Sequence, residues 1–113
     1  MTKPADLEKA FAGGVDTVFC TFAIIRFFER MAFQAPLSER INVGGTRTLL
    51  EICKKQGVKL LVQTSTSHVA TGFGQTALGM DETSPYVTRQ TSFAHYGWTK
   101  VEAEKLVLSL IHI

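Results

Sequence analysis

The chain has 113 residues, 45% of them hydrophobic, with 12 Lys and Arg against 10 Asp and Glu for a formal charge of +2. That length allows one domain with a real core and excludes a multidomain assembly. The near balance of charge, with no like-charge block longer than Lys54-Lys55, gives no electrostatic footing for nucleic acid or an anionic membrane surface.

In chain order, Pro4 opens a helix expected near 4–13, with an acidic first turn, apolar Leu7, Ala10 and Phe11, and Gly13-Gly14 as its stop. VDTVFCTFA, Val15 to Ala23, is β-branched, aromatic and apolar on both faces, which predicts a buried parallel strand near 15–21. Helical spacing resumes at Pro36 with Leu37, Ile41, Leu49, Leu50, Ile52 and Cys53, ends in Lys54-Lys55, and stops at Gly57. These marks predict a helix near 36–56. VKLLVQTS predicts a second buried strand near 58–64. A polar, glycine-rich stretch from His68 to Gln90 then leads into a helix near 93–110.

Helices alternating with buried strands define an α/β fold with a parallel sheet. Cys20 and Cys53 lie in apolar segments without metal-like spacing, which fits reduced core thiols of a cytoplasmic protein. The longest apolar runs, Val18 to Ile25 and Leu106 to Ile113, fall short of a bilayer span, so no transmembrane segment is expected; peripheral membrane contact stays open. His68, His95 and His112 lack ligand-like spacing, and no metal site is expected. Asp81 and Glu82, near Pro85, fit a solvated turn better than a pair of catalytic acids. Gly72, Gly74 and Gly79 fit a loop, and Gly44-Gly45 inside a helix fit close helix packing.

In an open parallel sheet, ligands gather at the carboxyl ends of the strands, here Thr21 to Ala23 and Thr64 to Ser67. The last helix follows the second of these ends and carries Tyr96 and Lys100, four apart and therefore on one face. A phenol titrates near 10, and bringing one to neutrality takes about 4 kcal/mol, which one ammonium about 4 Å away can supply. With two tyrosines and seven lysines, such a spacing arises by chance in roughly one sequence in eight, so the pair alone is weak. The hydroxyl run Thr64-Ser65-Thr66-Ser67 adds groups able to hold a substrate oxygen.

Five motifs in order, VDTVFCTFA, NVGGTRTLLEIC, GVKLLVQTST, DETSPY and YGWTK with VEAEKLVL, resemble the middle of an extended short-chain dehydrogenase/reductase. They are most similar to the 3β-hydroxysteroid dehydrogenase/isomerase branch, from Asp6 to about Leu108. The resemblance implies a partial Rossmann domain spanning residues 1–113 and an NAD- or NADP-dependent oxidoreductase. Its substrate would be a small secondary alcohol or ketone, 3β-hydroxysteroid-like. It further implies Tyr96 as acid/base, Lys100 as its helper and ribose ligand, and Thr66 as the substrate-orienting hydroxyl, with Ser65 in reserve. Asn42 would support a water near the lysine, while Thr21, Phe22 and Ala23 would line the cofactor, with Phe22 bulky enough to crowd it. A homodimer through the helices near 36–56 and 93–110 also follows from it.

Two alternatives stay open: a nucleotide-sugar epimerase or dehydratase of the same superfamily, and a non-catalytic binding or regulatory module. The glycine-rich cofactor turn and the C-terminal substrate region of that family have no counterpart in these residues. The isolated chain is therefore expected to be an inactive fragment that binds NAD(P) poorly and, with an apolar strand edge open, associates readily.

Overall fold

The computed structural model describes residues 3–29, 31–74 and 78–110; His112 lies outside them. Pro4–Phe11 forms α1, and Thr17–Cys20 forms β1. A 3-10 turn, Ala32–Gln34, leads into α2, Ala35–Ser38, which runs through a π-helical turn, Glu39–Gly44, into α3, Gly45–Gln56. Gly57 ends α3 in the left-handed region, φ 69°, where its lack of a Cβ removes the steric cost. Leu60–Gln63 forms β2, Ser67–Val69 a second 3-10 turn, and His95–Leu110 forms α4. No described helix is long and apolar enough to cross a membrane.

The α/β class holds, with β1 and β2 parallel and in the register Thr17 to Leu60 through Cys20 to Gln63. Both strands are shorter than the apolar runs that announced them. At the ends of the ladder the Asp16 carbonyl accepts from the N–H groups of both Lys59 and Leu60, and the Thr64 N–H donates to the Cys20 carbonyl. α1 stops two residues before the expected glycines. α4 begins at His95 rather than Phe93, because Ser92 Oγ donates to the Ala94 carbonyl and holds the entry as a turn.

The core sits on one face of the sheet. Leu7 and Phe11 of α1 meet Cys20 of β1 and Leu49, Ile52 and Cys53 of α3, with Val18 and Leu61 packed against them. Both cysteines are buried and free.

The expectation of strands buried on both faces fails. Side chains alternate along a strand, and the residues pointing away from the core are bare: Phe19 is 70% exposed, Leu60 54% and Val62 41%. The helices α1 and α3 cover only one side, so an apolar run typical of a doubly covered sheet here has a single cover. Replacing Phe19, Leu60 and Val62 together by threonine removes apolar surface while placing a β-branched strand former at each position. The variant is expected to stay monomeric at concentrations where the parent associates, with little change in urea midpoint, as light scattering and unfolding will show.

Candidate active site

β2 ends at Gln63, and the chain then passes Thr64, Ser65 and Thr66 before the 3-10 turn. α4 packs across this exit. Its first turns bury Tyr96, at 6% exposure, and Lys100, at 5%. The Lys100 ammonium donates to the Thr64 carbonyl at 2.8 Å, which fixes the lysine at the carboxyl end of the sheet, where the strand ends predicted a ligand.

The α4 entry seats against the turn after β2 at Gly97. A Cβ built there would lie 2.6 Å from Ser92 Oγ and 2.8 Å from the His68 carbonyl, so only glycine permits this approach. The Tyr96 ring is consequently held edge-on to Phe27, with centroids 5.7 Å apart, and edge-on to His68 at 6.1 Å.

Asn42 sits on the π-helical turn and is almost fully buried. Its Oδ1 accepts from the Ile24 N–H at 2.8 Å, and its Nδ2 donates to the Ile24 carbonyl and to Thr99 Oγ1, each at 3.0 Å. Thr99 in turn donates to the Tyr96 carbonyl at 2.7 Å. One amide thus ties the loop after β1 to the tyrosine-bearing turn of α4, with both of its donors used.

Thr66 caps the second 3-10 turn: its Oγ1 accepts from the His68 N–H at 3.3 Å and lies 3.3 Å from His68 Nδ1. Ser65 donates at 2.6 Å to Glu104, whose other oxygen accepts from Tyr86 at 3.0 Å, so this hydroxyl is committed to the outer side of α4. Thr21 and Ala23 are exposed at the exit of β1, while Phe22 turns inward. The Phe22 ring lies 3.0 Å from where a Gly45 Cβ would stand. The bulk of Phe22 is thus directed at the core and at Gly45. The close packing expected of the glycine pair is found at Gly45, against this ring rather than against a helix.

Asp81 forms the turn expected of it: its carboxylate accepts from the backbone and hydroxyl of Thr83, bonds that hold its pKa below the usual value.

Sequence reasoning missed four contributors. Thr99 and Gly97 stood inside YGWTK, and a hydroxyl three residues after Tyr96 on a buried face was the available signal for the first. His68 had no local mark. Glu29 had none either, although its side chain is fully buried, with Ser38 donating to one oxygen. Arg26 stands 2.8 Å from the other oxygen, off the hydrogen-bond direction. Glu29 and His95 help line a cavity of about 540 Å³ on the N-terminal flank of Tyr96, together with Arg89, Ser92, Phe73 and Phe93.

Burial pushes the Lys100 pKa below its ordinary value of 10.5, opposed by attraction to Cys20 and Glu104. A lysine that binds its proton more weakly when folded costs stability in full below the lowered folded value, and the cost fades as pH rises toward 10.5. Relative to Lys100→Met, the parent is expected to gain stability as pH rises toward 10.5 in urea titrations. Burial raises the Cys20 and Cys53 thiols above 9.0, which has the opposite sign. The Cys53 effect is common to the two proteins and cancels in the difference, whereas Cys20 loses the attraction of Lys100 in the variant, which raises its pKa further and adds to the parent's relative gain.

A parallel sheet with a buried tyrosine and lysine one helical turn apart at its carboxyl end is the arrangement that the resemblance to short-chain dehydrogenases/reductases implies. The chain belongs to the 3-beta hydroxysteroid dehydrogenase/isomerase family, whose sequence model matches residues 1–110. It is 44% identical over 107 residues to short-chain dehydrogenase/reductase family 42E member 1 of Bos taurus, covering 93% of this chain and 26% of that protein. It is 40% identical over 108 residues to a 3 beta-hydroxysteroid dehydrogenase/Delta 5-->4-isomerase of Mycobacterium tuberculosis, covering 93% and 28%. With a 3-beta-hydroxysteroid dehydrogenase of Mycolicibacterium neoaurum it shares 38% identity over 111 residues, covering 96% and 29%. The chain spans little more than a quarter of the length of these relatives, and their family is one of NAD(P)-dependent oxidoreductases.

Proposed function

We propose that these residues are the catalytic middle of an enzyme that interconverts a secondary alcohol and its ketone with NAD or NADP, on a 3β-hydroxysteroid-like substrate. The joint burial of Tyr96 and Lys100 on one face of α4, with the ammonium anchored at the end of β2, carries this reading. The nicotinamide, when bound, accepts or supplies the hydride. Tyr96 as the phenolate takes the hydroxyl proton of the alcohol, or as the phenol gives its proton to the ketone in the reverse direction. Lys100 spends one of its three donors on Thr64 and keeps two for the phenol side and a ribose hydroxyl. Thr66 orients the substrate oxygen. Asn42 acts by holding the β1 exit loop and Thr99 in place.

The residues present fit the nicotinamide end of such a cofactor: Thr21 and Ala23 are open at the β1 exit and Phe22 is packed away. A glycine-rich phosphate turn does not occur within the 113 residues, so the chain by itself is expected to bind NAD(P) weakly and to turn nothing over.

The direct test is a chimaera in which residues 1–110 replace the matched segment of the Mycobacterium tuberculosis relative. It is expected to reduce NAD or NADP in the presence of a 3β-hydroxysteroid. A chimaera that folds and binds the cofactor yet shows no turnover overturns the proposal.

A further inference from the structure

We propose that His68 is a positioning residue that decides whether the Thr66 hydroxyl can donate to a substrate oxygen. The proposal rests on the reading of Thr66 as the substrate-orienting group. A hydroxyl has one proton and two lone pairs. The His68 N–H occupies one lone pair at 3.3 Å, and His68 Nδ1 stands 3.3 Å from the same oxygen. If Nδ1 carries a proton, it donates to the second lone pair, and the Thr66 proton is left for an external oxygen. If Nδ1 is bare, the Thr66 proton turns to the imidazole, and the hydroxyl has no donor to offer.

The ring is not free to leave. Its backbone is pinned by the contact of the His68 carbonyl with Gly97, and its ring packs against Phe27, with centroids 5.4 Å apart, and against Tyr96. The groups facing it are Phe27 from the β1 exit loop, Tyr96 from α4 and Thr66 from its own turn. Among the described residues no carboxylate or ammonium hydrogen-bonds the imidazole, so Thr66 is the polar neighbour that selects its tautomer. In this proposal the proton sits on Nδ1, since that arrangement alone leaves Thr66 a donor toward substrate.

Long-range ¹H–¹⁵N NMR of the 113-residue chain at about pH 8, where an ordinary imidazole is neutral, reads the tautomer directly. The expected result is a protonated Nδ1 and a bare Nε2 for His68, with the Nδ1 signal displaced in Thr66→Val. In His68→Asn, whose amide offers a donor at the same position, the Thr66 hydroxyl proton keeps the exchange behaviour it has in the parent. In His68→Phe it does not. A bare Nδ1 in the parent overturns the proposal, as does an Nδ1 signal indifferent to Thr66→Val. If a variant fails to fold, the parent spectrum still decides. No substrate or cofactor enters this experiment, so its failure would leave the oxidoreductase reading standing.

Discussion

In the chimaera, Tyr96→Phe is expected to lower kcat by about a thousandfold, within the range for loss of a general acid or base, while KM changes little. The substitution removes the phenol oxygen and leaves the ring, whose edge-on contacts with Phe27 and His68 hold the α4 entry against the turn after β2. The variant should therefore unfold at nearly the parent temperature. A loss of activity accompanied by a comparable loss of stability would instead mark Tyr96 as a packing residue. Activity preserved in the phenylalanine variant would remove it from the chemistry.

The second large effect is on stability. Asn42→Ala is expected to destabilise the chain by about 3 kcal/mol and to lower its urea midpoint by more than about 1 M. The amide is buried, and its loss strands the N–H and carbonyl of Ile24 and takes from Thr99 Oγ1 the donor it accepts from. Each orphaned group costs about 1–3 kcal/mol where water cannot reach it. A helix-surface amide, by contrast, changes stability by less than about 0.5 kcal/mol on truncation. Unfolding curves of the two proteins distinguish these outcomes without any assay of function.

The helices were legible because each carries its own punctuation: Pro4 at a start, Gly57 at a stop, and apolar spacing between. Tyr96, Lys100 and Asn42 were legible as members of ordered motifs, and the structure buries all three near the strand ends. Phe19 shows where local pattern stops short. Its apolar neighbours announce a strand, but the number of covered faces depends on what else packs there, which no local period encodes. The π-helical turn under Asn42 was equally hidden, since Glu39 to Gly44 reads as ordinary helix. Ser65 and Thr66 are adjacent and chemically alike, yet one faces Glu104 and the other His68. That division follows from side-chain alternation in extended chain, and its absolute direction becomes visible only when α4 is laid across it. His68 became significant for the same reason, through Gly97 and Tyr96, which lie nearly thirty residues away.

The central claim is that Tyr96 and Lys100 serve hydride transfer between an alcohol carbon and a nicotinamide. It is tested most directly by giving the chimaera a 3β-hydroxysteroid deuterated at the carbinol carbon and analysing the reduced cofactor by mass spectrometry. The account predicts one deuterium on the nicotinamide of every cofactor reduced, with the signal lost in Tyr96→Phe. Reduced cofactor without deuterium, or a folded, cofactor-bound chimaera that produces none, would contradict it.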